Sequence, residues 1–398
     1  MRRKRSFYVI LCISIICLIS GCRQVPDSVK EKARKHQKAE DVEETDIKYV
    51  SIDHILDNQK EVLGKTYQNL EFQETVHLEQ PDSISVLSMT ITNPFTTKDK
   101  FADLCAAFFG TDKYRNELTR MENLPEWPDG QGLFAFNHNH PDDEDAAYVA
   151  DSGYLVCYKK NAKFSTENRQ TICHVDWNEN MDIFYEVGGE KISIREAVDY
   201  VNDWCNKYWA ILEPEYRYQV KTIYVCMADN KEYYYYFEVC KFYKGMPFDD
   251  ITFSDSADDY YYYKTNSLNV VMEHKNELSF FQNSENSYDI VKEKTYNDKL
   301  IGLEQAVLLV QEKMSGGQKF EITDIDLKYV TRSDMSSEEV VEKDTSFNAP
   351  GSPFTARPTW SFILDYQPSE EEEESDPWPR KFINVDMISG EILYRDSI

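Results

Sequence analysis

Read for its apolar and polar positions, the chain alternates amphipathic helices with runs of strands. Phe101, Leu104, Cys105, Phe108 and Phe109 recur at i, i+3, i+4, i+7 and i+8, which predicts a helix with one buried face. Thr96-x-x-Asp99 stands at its start, where side-chain oxygens can satisfy free backbone amides, and Gly110 at its end, free to adopt positive φ. A second helix is predicted after Ser193, with Glu196 completing a capping box and Ile194, Ala197, Val198, Val201, Trp204, Cys205 and Tyr208 on its buried side. A third follows Gly302, with Gln305 in the same frame, a stripe of Leu303, Ala306, Val307, Val310 and Met314, and a stop at Gly316-Gly317. Nearer the start, residues 47–63 predict a helix, and residues 70–78 and Ile84–Thr92 predict strands around a Pro81-Asp82 turn. Trp127-Pro128-Asp129-Gly130 is turn chemistry, and residues 153–158 and 171–177 read as later strands.

From about residue 190 the same unit occurs twice. Ile192-Ser193-Ile194-Arg195-Glu196-Ala197-Val198 matches Ile301-Gly302-Leu303-Glu304-Gln305-Ala306-Val307. Val220, Ile223 and Val225 of the next strand correspond to Ile322, Ile325 and Leu327, and an aromatic strand follows in each copy, at 233–239 and 360–366. Both copies close with strand, turn and strand: 268–272, Lys275-Asn276 and 277–281 in one, 382–386, Ser389-Gly390 and 391–394 in the other. Asn276 and Gly390 hold the same place, and both residue types tolerate the left-handed turn conformation. The predicted fold class is α+β: tandem units of one helix on a small antiparallel sheet, at 187–290 and 291–398, preceded by an α+β region at 47–186.

The start of the chain changes the picture from fold to address. Met-Arg-Arg-Lys-Arg, an apolar run over residues 6–19 and Ser20-Gly21-Cys22 are the parts of a secretory signal. Leu18-Ile19-Ser20-Gly21-Cys22 resembles the lipobox of bacterial lipoproteins, and the resemblance implies cleavage before Cys22 and a diacylglyceryl group on its thiol. The apolar run falls short of the ~20 residues that a membrane-spanning helix needs. Residues 22–46 hold no aromatic residue and are rich in Lys, Glu and Asp, which predicts a tether with a fraying helix over 27–40. The expected location is the extracytoplasmic face of the cell membrane, held by lipid.

Formal net charge is −27, and removing residues 1–21 takes away four basic residues and no acid, leaving −31. Such a body should not seek nucleic acid, and an anionic membrane surface should repel it. Cys12, Cys17 and Cys22 belong to the signal; Cys105, Cys157, Cys173, Cys205, Cys226 and Cys240 remain. An even count in an exported chain permits disulfides, but their apolar surroundings favour buried thiols acting as small hydrophobes.

The second copy resembles the PepSY-like domains of exported bacterial proteins, through Glu304-Gln305-Ala306 and Val385-Asp386-Met387-Ile388-Ser389-Gly390-Glu391-Ile392-Leu393. That family's ending reads Val-Asp-x-x-Thr-Gly-Glu, so Ser389 departs mildly; the first copy, at Val271-Met272-Glu273-His274-Lys275-Asn276-Glu277, lacks both the Asp and the Gly. Tandem units on a membrane anchor are also similar to YycH/YycI-type regulators of envelope sensor kinases. The resemblance implies a non-catalytic binding or regulatory module, sometimes a peptidase inhibitor, acting on an envelope protein or peptide.

Other candidate chemistry is sparse. His138 and His140 precede four acids and are candidate nitrogen ligands for a divalent metal; without a third histidine at useful spacing, the stretch reads first as a solvated, Pro-bent loop. Two tyrosine runs, 233–236 and 260–263, read as half core and half edge, with the second the better surface patch for a sugar or protein partner. Asp249, Asp250, Asp255, Asp258 and Asp259 lack calcium-loop spacing and predict a solvated loop; Glu370–Glu374 predicts a self-repelling insertion. Asp386 reads as a cap on turn amides rather than a catalytic acid. No nucleotide-binding glycine motif, nucleophile elbow or His-Glu-x-x-His occurs. The expectation is a protein without catalytic residues or cofactor; the rivals are an anchored hydrolase using paired carboxylates and a solute-binding lipoprotein.

Overall fold

In the computed structural model, residues 47–396 are described, apart from 68–69, 74–77, 79, 121–131, 138–143, 151–152, 164, 167, 176–179, 250–252, 256–259, 264–267, 284–286, 314–319, 336–338, 340–348 and 365–380, and apart from side chains at 132–133, 253–255, 260–263, 381 and 393–396. The stretch expected to be a helix over 47–63 is broken up. Tyr49–Val50 is a short strand paired with Leu300–Ile301, Ile52–His54 is a 3-10 turn, and only Gln59–Gly64 (α1) is α-helical. Asn58, at φ 60°, takes the left-handed conformation and stops the two helical pieces from joining.

The next helix, Lys98–Phe109 (α2), buries Phe101, Leu104, Cys105 and Phe108 and ends at Gly110 in the left-handed region. Its cap is Thr97, not Thr96: the Thr97 hydroxyl accepts from the Lys100 amide at 3.4 Å. Asn93 folds back to accept from the Phe95 amide at 2.8 Å, which holds the chain in a turn before the helix starts. Ile194–Trp204 (α3) has the full capping box, with Ser193 Oγ accepting from the Glu196 amide at 3.1 Å and Glu196 accepting from the Ser193 amide at 2.9 Å. A π-helical turn at Cys205–Trp209 follows. Its wider turn brings Trp209 into the core, between Phe95 (5.9 Å) and Phe281 (5.4 Å), and leaves Tyr208 only half-buried. The last helix, Leu303–Lys313 (α4), buries Leu303, Ala306, Val307, Leu309 and Val310; Met314 and the Gly316-Gly317 stop lie outside the described residues.

The strands form a mixed α+β architecture dominated by antiparallel pairing. After α3, Arg217–Met227, Tyr233–Tyr243, Leu268–His274 and Glu277–Asn283 pair in that order. After α4, Phe320–Ser333, Pro353–Leu364, Lys381–Asp386 and Ile392–Asp396 pair in that order. The first sheet is extended by Arg169–His174 on Arg217–Met227, and by Leu155–Tyr158, Ala146–Ala150 and Gly132–Phe136 beyond Glu277–Asn283. The second is extended by Ile84–Thr92, which pairs with Pro353–Leu364 on one edge and Ser287–Tyr296 on the other. Residues before 187 thus supply strands to both sheets, and the chain from Lys48 to Ile398 is one compact unit.

Details recur between the two sheets. The strand after α3 is bulged between Val220 and Thr222, and the strand after α4 between Ile322 and Asp324. Tyr235 lies opposite Val225 and Trp360 opposite Leu327. The Tyr235 hydroxyl donates to the Ile192 carbonyl at 2.8 Å, and Trp360 Nε1 donates to the Ile301 carbonyl at 2.8 Å. Each carbonyl belongs to the residue two before the first residue of its helix.

Candidate functional site

A bulge places two residues of one strand against one of its neighbour and re-aims the extra side chain. Lys221 and Thr323, the extra residues at the two bulges, both line a cleft of about 170 Å³. Beside them stand Thr222 and Asp324, with their cross-strand partners Glu238 and Ile363. The cleft therefore forms where corresponding positions of the two strand pairs meet. His174, opposite Thr222, and Phe382, opposite Ile363, extend each wall, and Gln73, Asp326 and Lys328 complete the lining.

Two ion pairs run from the mouth to the interior. Lys221 Nζ lies 3.0 Å from Asp326 Oδ2, with 22% and 17% of the side chains exposed. Behind them Lys328 Nζ lies 3.1 Å from Asp249 Oδ1, at 3% and 1% exposure, and 4.0 Å from Asp326. The Lys328 ammonium also sits 5.1 Å above the Phe382 ring, whose face attracts a cation. Asp249 is held by its amide, which donates to the Tyr329 carbonyl at 2.8 Å. The expectation of a solvated acidic loop is thus wrong for Asp249: a lysine on the neighbouring sheet neutralises it away from water. Asp250, Asp258 and Asp259 lie outside the described residues, as does the side chain of Asp255.

A second buried charge cluster has a structural role. Glu213 accepts from Lys241 Nζ at 2.8 Å, from Trp209 Nε1 at 3.1 Å and from the Tyr218 hydroxyl. Lys241 in turn lies 4.6 Å above the Tyr216 ring. Burial, followed by the Glu213 charge, pushes the Tyr218 hydroxyl well above its ordinary range, so it stays a neutral donor.

Asp386 serves its turn. Its Oδ1 accepts from the Ile388 amide at 2.9 Å, the Ser389 amide at 2.7 Å and Ser389 Oγ at 3.0 Å, while Arg357 grips both oxygens in a forked pair. Both oxygens are occupied, which suits a cap and not an acid catalyst. In the first tyrosine run, Tyr234 and Tyr235 are buried and Tyr233 and Tyr236 half-buried. The run 260–263 forms a strand on Phe320–Ser333, with side chains outside the description. The six cysteines from Cys105 to Cys240 are all buried and unbridged. Burial, then the neighbouring Cys105 thiol, pushes the Cys157 thiol well up, which makes it a poor nucleophile.

Cys22, His138, His140 and Glu370–Glu374 lie outside the described residues. Among the described residues no group of His, Cys, Asp and Glu is arranged to hold a metal ion, and no helix is long and apolar enough to cross a membrane. The cleft residues were missed in the sequence, although a signal exists. In Asp324-Ile325-Asp326-Leu327-Lys328 apolar and charged positions alternate strictly, so every charge points to one face.

No family model and no curated protein matches the chain. Among solved structures, an uncharacterized protein from Eubacterium rectale aligns at a TM-score of 0.57 with 14% identity, covering 85% of this chain and 99% of that one. At that identity the likeness extends to the fold alone.

Proposed function

We propose that this chain is a lipid-anchored extracytoplasmic protein that binds or regulates an envelope protein partner and performs no chemistry of its own. In this reading Cys22 carries the lipid, residues 22–46 are the tether, and the PepSY-like units at 187–290 and 291–398 are the working part. The observation that carries it is the correspondence between the two units. Each has a helix followed by four antiparallel strands, a bulge at the matching place and an aromatic donor on the carbonyl ahead of its helix. A hydroxyl and an indole on the same hydrogen bond are what two copies of one unit would carry. The bulges also bring matched positions to the walls of one cleft, and clefts between repeated units are common places for recognition.

Cross-linking on intact cells, followed by purification of this chain, tests the reading. The expected result is enrichment of a specific envelope protein with the normal chain, lost when a cleavable secretory signal replacing residues 1–22 exports the chain without its anchor. Recovery of the mature chain from cytosol, or an N-terminus without lipid by mass spectrometry, would remove the anchoring half.

A further inference from the structure

We infer that the cleft between the two bulged strands binds an amino-acid-sized zwitterion, its carboxylate on Lys221 and its ammonium on Asp326, beside Asp324 and Glu238. The inference rests on the binding reading above and gives it a ligand class.

The lining is polar and of mixed sign: Lys221 and Lys328 against Glu238, Asp324 and Asp326, with His174, Thr222, Thr323 and Gln73 around them. Two of these ion pairs differ in accessibility. Lys328 and Asp249 are sealed, while Lys221 and Asp326 keep about a fifth of their side chains in water. A solute therefore meets Lys221 and Asp326 first. A ligand of one sign that engaged either group would compete with the pair and meet like charge nearby, an anion facing Asp324 and Glu238 and a cation facing Lys328, 4.0 Å from Asp326. A ligand carrying both signs can exchange with the pair, giving each group a new partner. The mixed-charge mouth thus selects zwitterions over simple anions or cations.

Size and shape narrow the class. A cavity of ~150 Å³ holds one benzene, so a space of about 170 Å³ is on the scale of a free amino acid rather than a folded segment. Ile363 and Phe382 give one wall an apolar surface for a short side chain. Lys221 comes from the strand after α3 and Asp326 from the strand after α4, so an exchanging ligand would touch both units at once. Occupancy would then change the Lys221–Asp326 pair that joins the two bulged strands, a means by which a solute could alter what the protein presents to a partner.

Calorimetric titration of the full mature chain decides the matter. The probes are the common L-α-amino acids and glycylglycine, one at a time, then the N-acetyl and carboxamide derivatives of any that bind. The expected result is saturable binding of at least one free zwitterion. Both capped forms should bind at least tenfold more weakly, because each has lost one charge. Lys221→Met should weaken the free form at least tenfold and Lys221→Arg should restore most of it. The capped ligands need no variant, so a misfolded Lys221→Met protein would leave the test intact. No binding by any probe at millimolar concentration, or capped forms binding as well as free ones, overturns the inference. A partner cross-linked on cells in the absence of any such binding would leave the binding reading standing and remove only the ligand.

Discussion

Glu213 and Lys241 hold opposite charges where water is nearly excluded, at 3% and 7% exposure. Such a pair is worth little against an apolar replacement, yet removing one member strands the other. Lys241→Met is therefore expected to lower stability by about 3–5 kcal/mol in urea unfolding, and a loss below ~1 kcal/mol would mean that Glu213 finds water or a proton. Glu293 makes a prediction of the opposite kind, in pH. Burial pushes its carboxyl up, but hydrogen bonds from Lys244 (2.7 Å), Ser85 (2.6 Å) and Tyr243 (2.9 Å), with the Lys244 charge, outweigh burial and hold it at about 2. A carboxyl lowered from its ordinary 4.5 contributes stability in full above pH 4.5 and loses it as pH falls towards 2. Unfolding of the normal chain and of Glu293→Gln should differ most at pH 7 and converge between pH 4.5 and 2; a difference that stays constant through that window would contradict the assignment.

At the level of elements, the two aromatic donors offer a direct comparison. Tyr235→Phe and Trp360→Phe each leave a carbonyl ahead of a helix without its donor, which costs about 1–3 kcal/mol when the site is dry. Trp360→Phe also loses ring volume, so it should cost more than Tyr235→Phe; thermal or urea unfolding of both measures this, and a negligible loss from either would remove that bond from the match. Much at this level was legible in the sequence. Ile84–Thr92 has the ends its alternation indicated, Ser193 and Glu196 cap as their spacing required, and Asn276 and Gly390 both sit at positive φ, 56° and 76°. Local signals decide such features. The misreadings came from places where one residue resets the phase: Asn58 breaking the expected first helix, and the π turn that turns Trp209 inward instead of Tyr208. The cleft was illegible for a different reason, since Lys221 and Asp326 are 105 residues apart and no periodicity links them.

For the whole molecule, pairing crosses the boundaries expected at 187 and 291. Ile84–Thr92 joins Ser287–Tyr296 to Pro353–Leu364, Phe248 bridges to Tyr329, and the Phe248 ring meets Tyr216 edge-on at 5.7 Å and Tyr329 at a tilt at 5.1 Å. A fragment of residues 291–398 would lose Ile84–Thr92 and the partners of Tyr329, exposing apolar surface along both edges of its sheet. It is expected to show weak amide protection by hydrogen exchange, whereas the whole chain should melt in one cooperative calorimetric transition; two separated transitions would mean that the units fold alone. The surrounding acidity, −27 overall, should keep the molecule off nucleic acid and anionic lipid and leave recognition to local chemistry at sites such as the cleft.

Site-resolved photo-cross-linking in living cells bears most directly on the binding reading. A photoreactive side chain would be placed at Thr323 on the cleft wall and, in a second strain, at Glu312 on the exposed side of α4. The expected result is an adduct to one envelope protein from Thr323, absent from Glu312 and lost when a cleavable secretory signal replaces residues 1–22. Equal adducts from both positions, or none from Thr323 while the protein is present on the membrane, would contradict it.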